Sequence, residues 1–295
     1  MLASLIAAVV APVFYGVASA MQAIAVRAAS RPAGQGSGAF AAVDPGLVVR
    51  MFRQWRFLVS LGLDMLGFVA QLVALNRLPL FAVQAMIAAN LAVTAVCVSW
   101  LIGATLGWRE WVAVGGVIAG VGLLGSSAGA QGPERVGNTF KLALIVAVAA
   151  IGLIGLAAAR LPGPARTPLL GATAGLGYGV LAVAARVLNG FDPVHLIRDP
   201  AAYALAAAGI VSFLFYASAL EGGSVTVAVA AVVLVETIPP AAVGITLLGD
   251  KTRHGMAGLA IAGFILAVIC AVQLARFGQT EQQAAAASPS PARVP

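Results

Sequence analysis

Two carboxylates, Asp64 and Glu236, stand inside long apolar runs, where an ionisable group needs a task. Glu236 lies in Val232-Val233-Leu234-Val235-Glu236-Thr237-Ile238-Pro239-Pro240, near the middle of an apolar run from Val225 to Leu248. An acid at the centre of a spanning helix costs roughly 3 kcal/mol, so such residues as a rule face a protein interior or a water-filled cavity. The other eight acids, Asp44, Glu110, Glu134, Asp192, Asp199, Glu221, Asp250 and Glu281, fall in loops, at helix ends or in the tail. Burial disfavours the charged form of a carboxylate, so Glu236 can hold a proton at neutral pH and exchange it when substrate or water arrives. That chemistry would tie solute movement to a proton gradient. The competing reading is a neutral Glu236 that only hydrogen-bonds across helices.

Other residues bear on the same region. Pro239 and Pro240 remove two amide donors one turn after Glu236, which predicts a helix break and carbonyls in need of partners. The break can line a cavity or serve as a packing kink. Asn90, Gln71, Gln84 and Gln22 are amides at or near mid-membrane depth, suited to contacting a polar solute or to hydrogen bonding between helices. Tyr15 and Tyr178 can gate or stack on a substrate, or simply pack. Trp55, Trp100, Trp108 and Trp111 fall near helix ends, as interfacial anchors do. His195 and His254 lie in loops without metal-ligand company, and there is no HExxH or Walker-type sequence. These residues argue against an ATP-driven pump, an intramembrane hydrolase or any other enzyme, and no cofactor is expected.

The elements that must hold these groups follow from composition. Of 295 residues, 61% are hydrophobic and 9% charged, a balance that belongs in lipid. A spanning helix needs about 20 mostly apolar residues. Nine segments qualify, at approximately 2–26, 57–75, 79–102, 110–128, 141–159, 167–188, 200–220, 225–248 and 255–275. They are continuous runs of Ala, Leu, Val and Gly, unlike the short alternating strands of an outer-membrane barrel. The expected class is an all-α polytopic membrane protein. Gly116-Val117-Ile118-Ala119-Gly120 is a GxxxG site, which serves packing within the chain or a homodimer contact.

The net charge of +7 does not signal nucleic acid, because the basic residues are scattered over short loops. They report topology. Ten Lys and Arg fall on the side of the first, third, fifth and seventh loops and the C-terminus, and seven on the other. The positive-inside rule then puts the N-terminus outside and the C-terminus in the cytoplasm of a cell-membrane protein. The first segment has no basic stretch before it and no small-residue cleavage site, and reads as a retained helix. Cys97 and Cys270 lack metal or CxxC spacing and are expected to act as small buried hydrophobes. Residues 29–49 and the tail 277–295 read as a turn-rich loop and a disordered cytoplasmic segment.

Segments one to four and six to nine look like two copies of one unit. Phe14-Tyr15-Gly16-Val17 recurs as Gly177-Tyr178-Gly179-Val180, with Arg27 and Arg186 following. Trp100-Leu101-Ile102-Gly103 matches Thr246-Leu247-Leu248-Gly249, and aligning Gly103 with Gly249 sets Asn90 opposite Glu236. Ala74-Leu75 matches Ala219-Leu220 with one residue fewer between copies. Five crossings separate the copy starts, so the copies are inverted and the fifth segment links them. The expected divisions are 1–128, a linker 129–166, 167–276 and the tail 277–295.

Four helices, a linking helix and four helices resemble the drug/metabolite transporter superfamily (the EamA-like group). Glu236-Thr237-Ile238-Pro239-Pro240, Leu247-Leu248-Gly249-Asp250, Gly258 and Gly263 follow its pattern of an acid-proline helix, a Gly-acid turn and a Gly-containing last helix. The nine-helix plan is similar to the NIPA-type magnesium transporters, through Gly67-Phe68-Val69-Ala70-Gln71, Leu78-Pro79 and His195 to Pro200. That family's glutamate is Phe68 here, and the coupling glutamate of the small multidrug resistance proteins would fall near Val13 or Leu176. Asp64, one turn before Phe68, is the candidate replacement.

The resemblance implies a secondary transporter or facilitator. It would move a small organic metabolite or cation through the lipid bilayer by alternating access, with Glu236, Asn90, Asp64, Gln71, Tyr15 and Tyr178 around the site. A magnesium carrier using Asp64 and Glu236 is the near alternative. A non-transporting membrane scaffold or lipid-handling accessory protein is the reading from another class.

Overall fold

A computed structural model describes residues 2–29, 54–102, 107–130, 132, 136–188, 193–222 and 225–287. The turn-rich stretch after Ala29 lies almost wholly outside the described residues. Eleven described helices run α1 Leu2–Ala29, α2 Trp55–Leu75, α3 Leu80–Ala88, α4 Asn90–Ile102, α5 Trp108–Ser127, α6 Asn138–Ala159, α7 Arg166–Arg186, α8 Pro193–Arg198, α9 Pro200–Gly222, α10 Val225–Thr246 and α11 Ala257–Ala287. Eight stretches are long and apolar enough to cross a membrane, with α3 and the start of α4 counted together as Leu80–Cys97. In α10 the apolar stretch is shorter, Ala231–Thr246. The protein is therefore an all-helical, polytopic membrane protein.

Three boundaries differ from the sequence expectation. The third segment is not one helix: α3 and α4 meet at a turn on Ala89, although no proline or glycine marks the spot. The tail is not irregular from residue 277, because α11 continues to Ala287; Gln279 to Ala287 contains good helix formers and no breaker. The prolines of α10 do not break it. The helix runs through Pro239 and Pro240, since proline costs only local amide donors when a neighbour takes up the freed acceptors.

Burial separates a centre from a rim. All nine residues of α3 are buried, and α7 is buried over most of its surface. By contrast, α2, α5, α6 and α11 turn large apolar side chains outward, among them Val69, Ile118, Leu153 and Ile265, as lipid-facing helices must. Exposed Trp55 and Trp108 begin α2 and α5, each with an arginine over its ring, Arg56 at 5.7 Å and Arg109 at 5.9 Å. Such pairs suit a membrane–water interface.

Close packing relies on small residues. Gly171, Gly175 and Gly179 repeat every four residues along α7 and meet, in order, Ala228, Val232 and Pro240 of α10. The constant direction means that the two helices run parallel. A Cβ on Gly175 would sit 2.5 Å from the Val232 carbonyl oxygen, so only glycine permits this approach. On the rim, α5 crosses α11 antiparallel, with Gly120 and Gly263 each against the other's backbone and Gly116 against Cys270. The GxxxG site thus packs within the chain.

Candidate functional site

The polar groups of α1 and α2 form an antiparallel ladder. Tyr15 Oη donates to Gln71 Oε1 at 2.7 Å, and Gln22 Nε2 donates to Asp64 Oδ2. Seven residues separate the two rungs on each helix, close to two turns, so both rungs lie on the facing sides. Gly67, between them on α2, meets the Tyr15 ring. Ser60, Gly67 and Gln71, on the same stripe of α2 as Asp64, are buried. Asp64 nevertheless keeps accessible surface.

Glu236 shows the same combination. Ile238, Ala242 and Ile245 mark the outward face of α10, and two residues at about 100° each put Glu236 nearly opposite Ile238. On that inward side Glu236 keeps accessible surface. Both acids thus keep accessible surface on faces that also carry buried residues, Ser60, Gly67 and Gln71 on α2 and Val232, Val233 and Thr237 on α10.

Three of the chain's four tyrosines lie within electrostatic range of both acids. Tyr15 and Tyr178 each lie within electrostatic reach of both Asp64 and Glu236, and so does Tyr216. Tyr178 also reaches Tyr15 and Tyr216. These groups come from α1, α2, α7, α9 and α10, of which α7 packs directly on both α9 and α10. Tyr216 is the residue that sequence reading missed. A signal for it existed, because the Ala74-Leu75 to Ala219-Leu220 register sets Tyr216 opposite Gln71.

The freed carbonyl expected from Pro240 has a partner. Pro240 cannot donate to the Glu236 carbonyl, and Gln84 Nε2 of α3 does so instead at 2.9 Å. Gln84 Oε1 and Ser212 Oγ, both buried, lack partners among the described residues. Asn90 opens α4 directly after the Ala89 turn, and its carbonyl oxygen lies against Gly16. Thr94 Oγ1 lies 2.8 Å from that oxygen and 3.1 Å from the Gly16 oxygen. Asn90 therefore meets α1 at Gly16 through backbone packing, and the residue keeps accessible surface.

A second polar assembly closes one end of the helices. Asp250 Oδ2 accepts the Leu80 amide at 2.6 Å, Asp250 Oδ1 accepts the Gly132 amide at 3.0 Å, and Arg186 Nη2 stands 3.6 Å from Oδ1. Both side chains are buried. Beside them, Ala128 and Thr252 pair in an antiparallel bridge. At the start of α6, buried Lys141 donates to Asp199 Oδ2 at 2.6 Å, while Asp199 Oδ1 accepts the Ala201 amide as the cap of α9, with Pro200 at the first helical position. Asp199 and Asp250, expected as ordinary loop acids, are thus buried structural anions. His195 lies in the short helix α8 and not in a loop.

Among the described residues no group of three or more His, Cys, Asp or Glu side chains converges as a metal site. Comparisons with protein-family models, with characterised proteins and with solved structures give no match to this chain.

Proposed function

We propose that this protein is a secondary transporter or facilitator of the drug/metabolite type, moving a small organic metabolite or cation by alternating access. The observation that carries the reading is the polar ladder of α1 and α2, Tyr15 to Gln71 and Gln22 to Asp64, with Glu236 of α10 in electrostatic range of the same tyrosines as Asp64. Charged groups at this depth mark solute or proton pathways. Glu236 is the proton-exchanging group, with Asp64, Tyr15, Tyr178 and Tyr216 around the solute and Gln71 orienting Tyr15.

The reading includes nine spans, with α10 as the eighth, arranged as two inverted four-helix copies about the linking helix α6. Matched local contacts support it. Gly16 meets the Asn90 carbonyl and Gly179 approaches that of Glu236, which are the pairs aligned by sequence. Tyr15 meets Gln71 as Tyr178 neighbours Tyr216. Substrate sites in inverted-repeat transporters lie near the midplane between copies, and these groups come from both copies. The positive-inside reading puts the N-terminus outside and the Asp250 end away from the cytoplasm.

A magnesium carrier has one observation in its favour, the shared surroundings of Asp64 and Glu236. The donor set is thin for a hard cation, with two carboxylates and no third acid or histidine beside them among the described residues. The organic solute is therefore preferred.

The test uses purified protein in proteoliposomes with a trapped pH-sensitive dye and a panel of small organic cations and neutral metabolites. Wild type should move protons when a transported solute is added, and Glu236→Gln should stop this while remaining monodisperse. Undiminished flux in that variant would remove Glu236 from the mechanism. Magnesium-dependent thermal stabilisation that disappears in Asp64→Asn would shift the assignment to the divalent-cation carrier.

A further inference from the structure

We propose that α3 is a gate element, latched at its N-terminus by Asp250 and tied to the solute site through Gln84. The proposal rests on the transport reading only for what passes the gate. Its physical basis is separate: the way α3 is held.

Pro79 precedes α3 and offers no side-chain cap, so the first amide of the helix needs an acceptor from elsewhere. Asp250, 170 residues later in the chain, supplies it. A carboxylate at that position also meets the positive end of the helix dipole. Four residues on, about one turn, Gln84 grips the Glu236 carbonyl. The same short helix is therefore held at one point by the turn after α10 and at the next by α10 beside the acid. The single turn residue Ala89, bonded back to Met86 and forward to Ala92, is the joint about which α3 would tilt relative to α4, which packs on α1.

The latch is suited to opening. Arg186 pairs with Asp250 at 3.6 Å and reaches the Gly132 oxygen at 3.4 Å, but its buried Nε has no partner among the described residues. An incompletely satisfied buried ion pair gains little over its separated, hydrated partners, because desolvation offsets most of the attraction. It holds an end shut without locking it. The turn aligned with Gly249-Asp250 is Gly103-Ala104, which carries no acid. Solute would reach the cluster from the Asp250 end once the latch parts and α3 swings, and the opposite end would serve as the entry while the latch holds.

The experiment places Glu236→Cys in a Cys97→Ala/Cys270→Ala chain, reconstituted in uniform orientation. A membrane-impermeant maleimide is applied to one face or the other. With the latch intact, labelling from the end opposite Asp250 should be at least tenfold faster. Asp250→Asn should raise labelling from the Asp250 end at least tenfold, and Arg186→Gln should do the same if Asp250→Asn fails to fold. Equal labelling from both faces with the latch intact overturns the proposal. Unchanged labelling in a folded latch variant also overturns it, yet leaves the solute site standing if the opposite face still labels. A cysteine unreachable from either face in every variant sinks both the gate and the transport reading.

Discussion

Gln84 Nε2 donates to the Glu236 carbonyl oxygen at 2.9 Å, occupying the acceptor that Pro240 leaves open. Sequence and structure meet at this bond, because a proline one turn after an acid creates a need and a distant amide answers it. Gln84→Leu should lower stability by about 1–3 kcal/mol by leaving that oxygen buried and unpaired. In a Pro240→Ala background the helix regains its own donor, and the cost of Gln84→Leu should shrink. Thermal unfolding of the four proteins in detergent measures the coupling. Equal costs in both backgrounds would show that the bond is incidental.

The α7–α10 contact predicts a sharp contrast between glycines. Gly175→Val should abolish a monodisperse product, because the added atoms enter the Val232 backbone. Gly152→Ala, where nothing lies within 4 Å, should leave the yield unchanged or raise it. Size-exclusion profiles of the two variants decide the matter.

Lys141 and Asp199 form the tightest buried ion pair described, at 2.6 Å. Removing either charge alone, in Lys141→Met or Asp199→Asn, should cost about 3–5 kcal/mol because its partner is left buried and uncompensated. The double variant should recover most of the loss, since Asn can still cap α9. Additive losses by thermal unfolding would argue that the two groups act independently.

Tyr216 and Tyr203 separate the site from the surface. Tyr216→Ala should lower solute-driven proton flux at least tenfold, whereas Tyr203→Ala, an exposed residue bonded to the Ile197 carbonyl, should leave it within twofold. Equal effects would remove Tyr216 from the site.

Much of this was legible in the residues. Composition announced a helical membrane protein, since no other arrangement buries such runs. Asp64 and Glu236 stood out because an acid in lipid is costly, whereas the Gln22 amide on Asp64 and the Gly175 approach beside Glu236 depend on helix packing. Local chemistry misled at helix breaks: Pro239 and Pro240 lie in a continuous helix, while the turn at Ala89 has no breaker residue. Whether a helix bends there depends on what the neighbours supply, and that is set by chain segments far away. The latch between Arg186 and Asp250 was illegible for the same reason. Each residue reads as an ordinary helix-end charge until folding brings the α3 amide between α7 and the turn after α10. Tyr216 was hidden differently, being one aromatic ring in an apolar run, detectable only through the register between copies.

The complete burial of α3 has a consequence for biosynthesis. No side chain of α3 meets lipid in the finished protein, yet α3 enters the bilayer long before the segments that enclose it exist. Gln84 must wait for an acceptor 152 residues downstream, a delay of about 8–30 s at ordinary rates of translation. The apolarity of Leu80–Ala88 thus serves a passing stage, in which the nascent helix and whatever insertion machinery or lipid surrounds it must tolerate one unpaired amide. Substitutions there can be harmless to the assembled molecule and still reduce the amount of it that a cell makes.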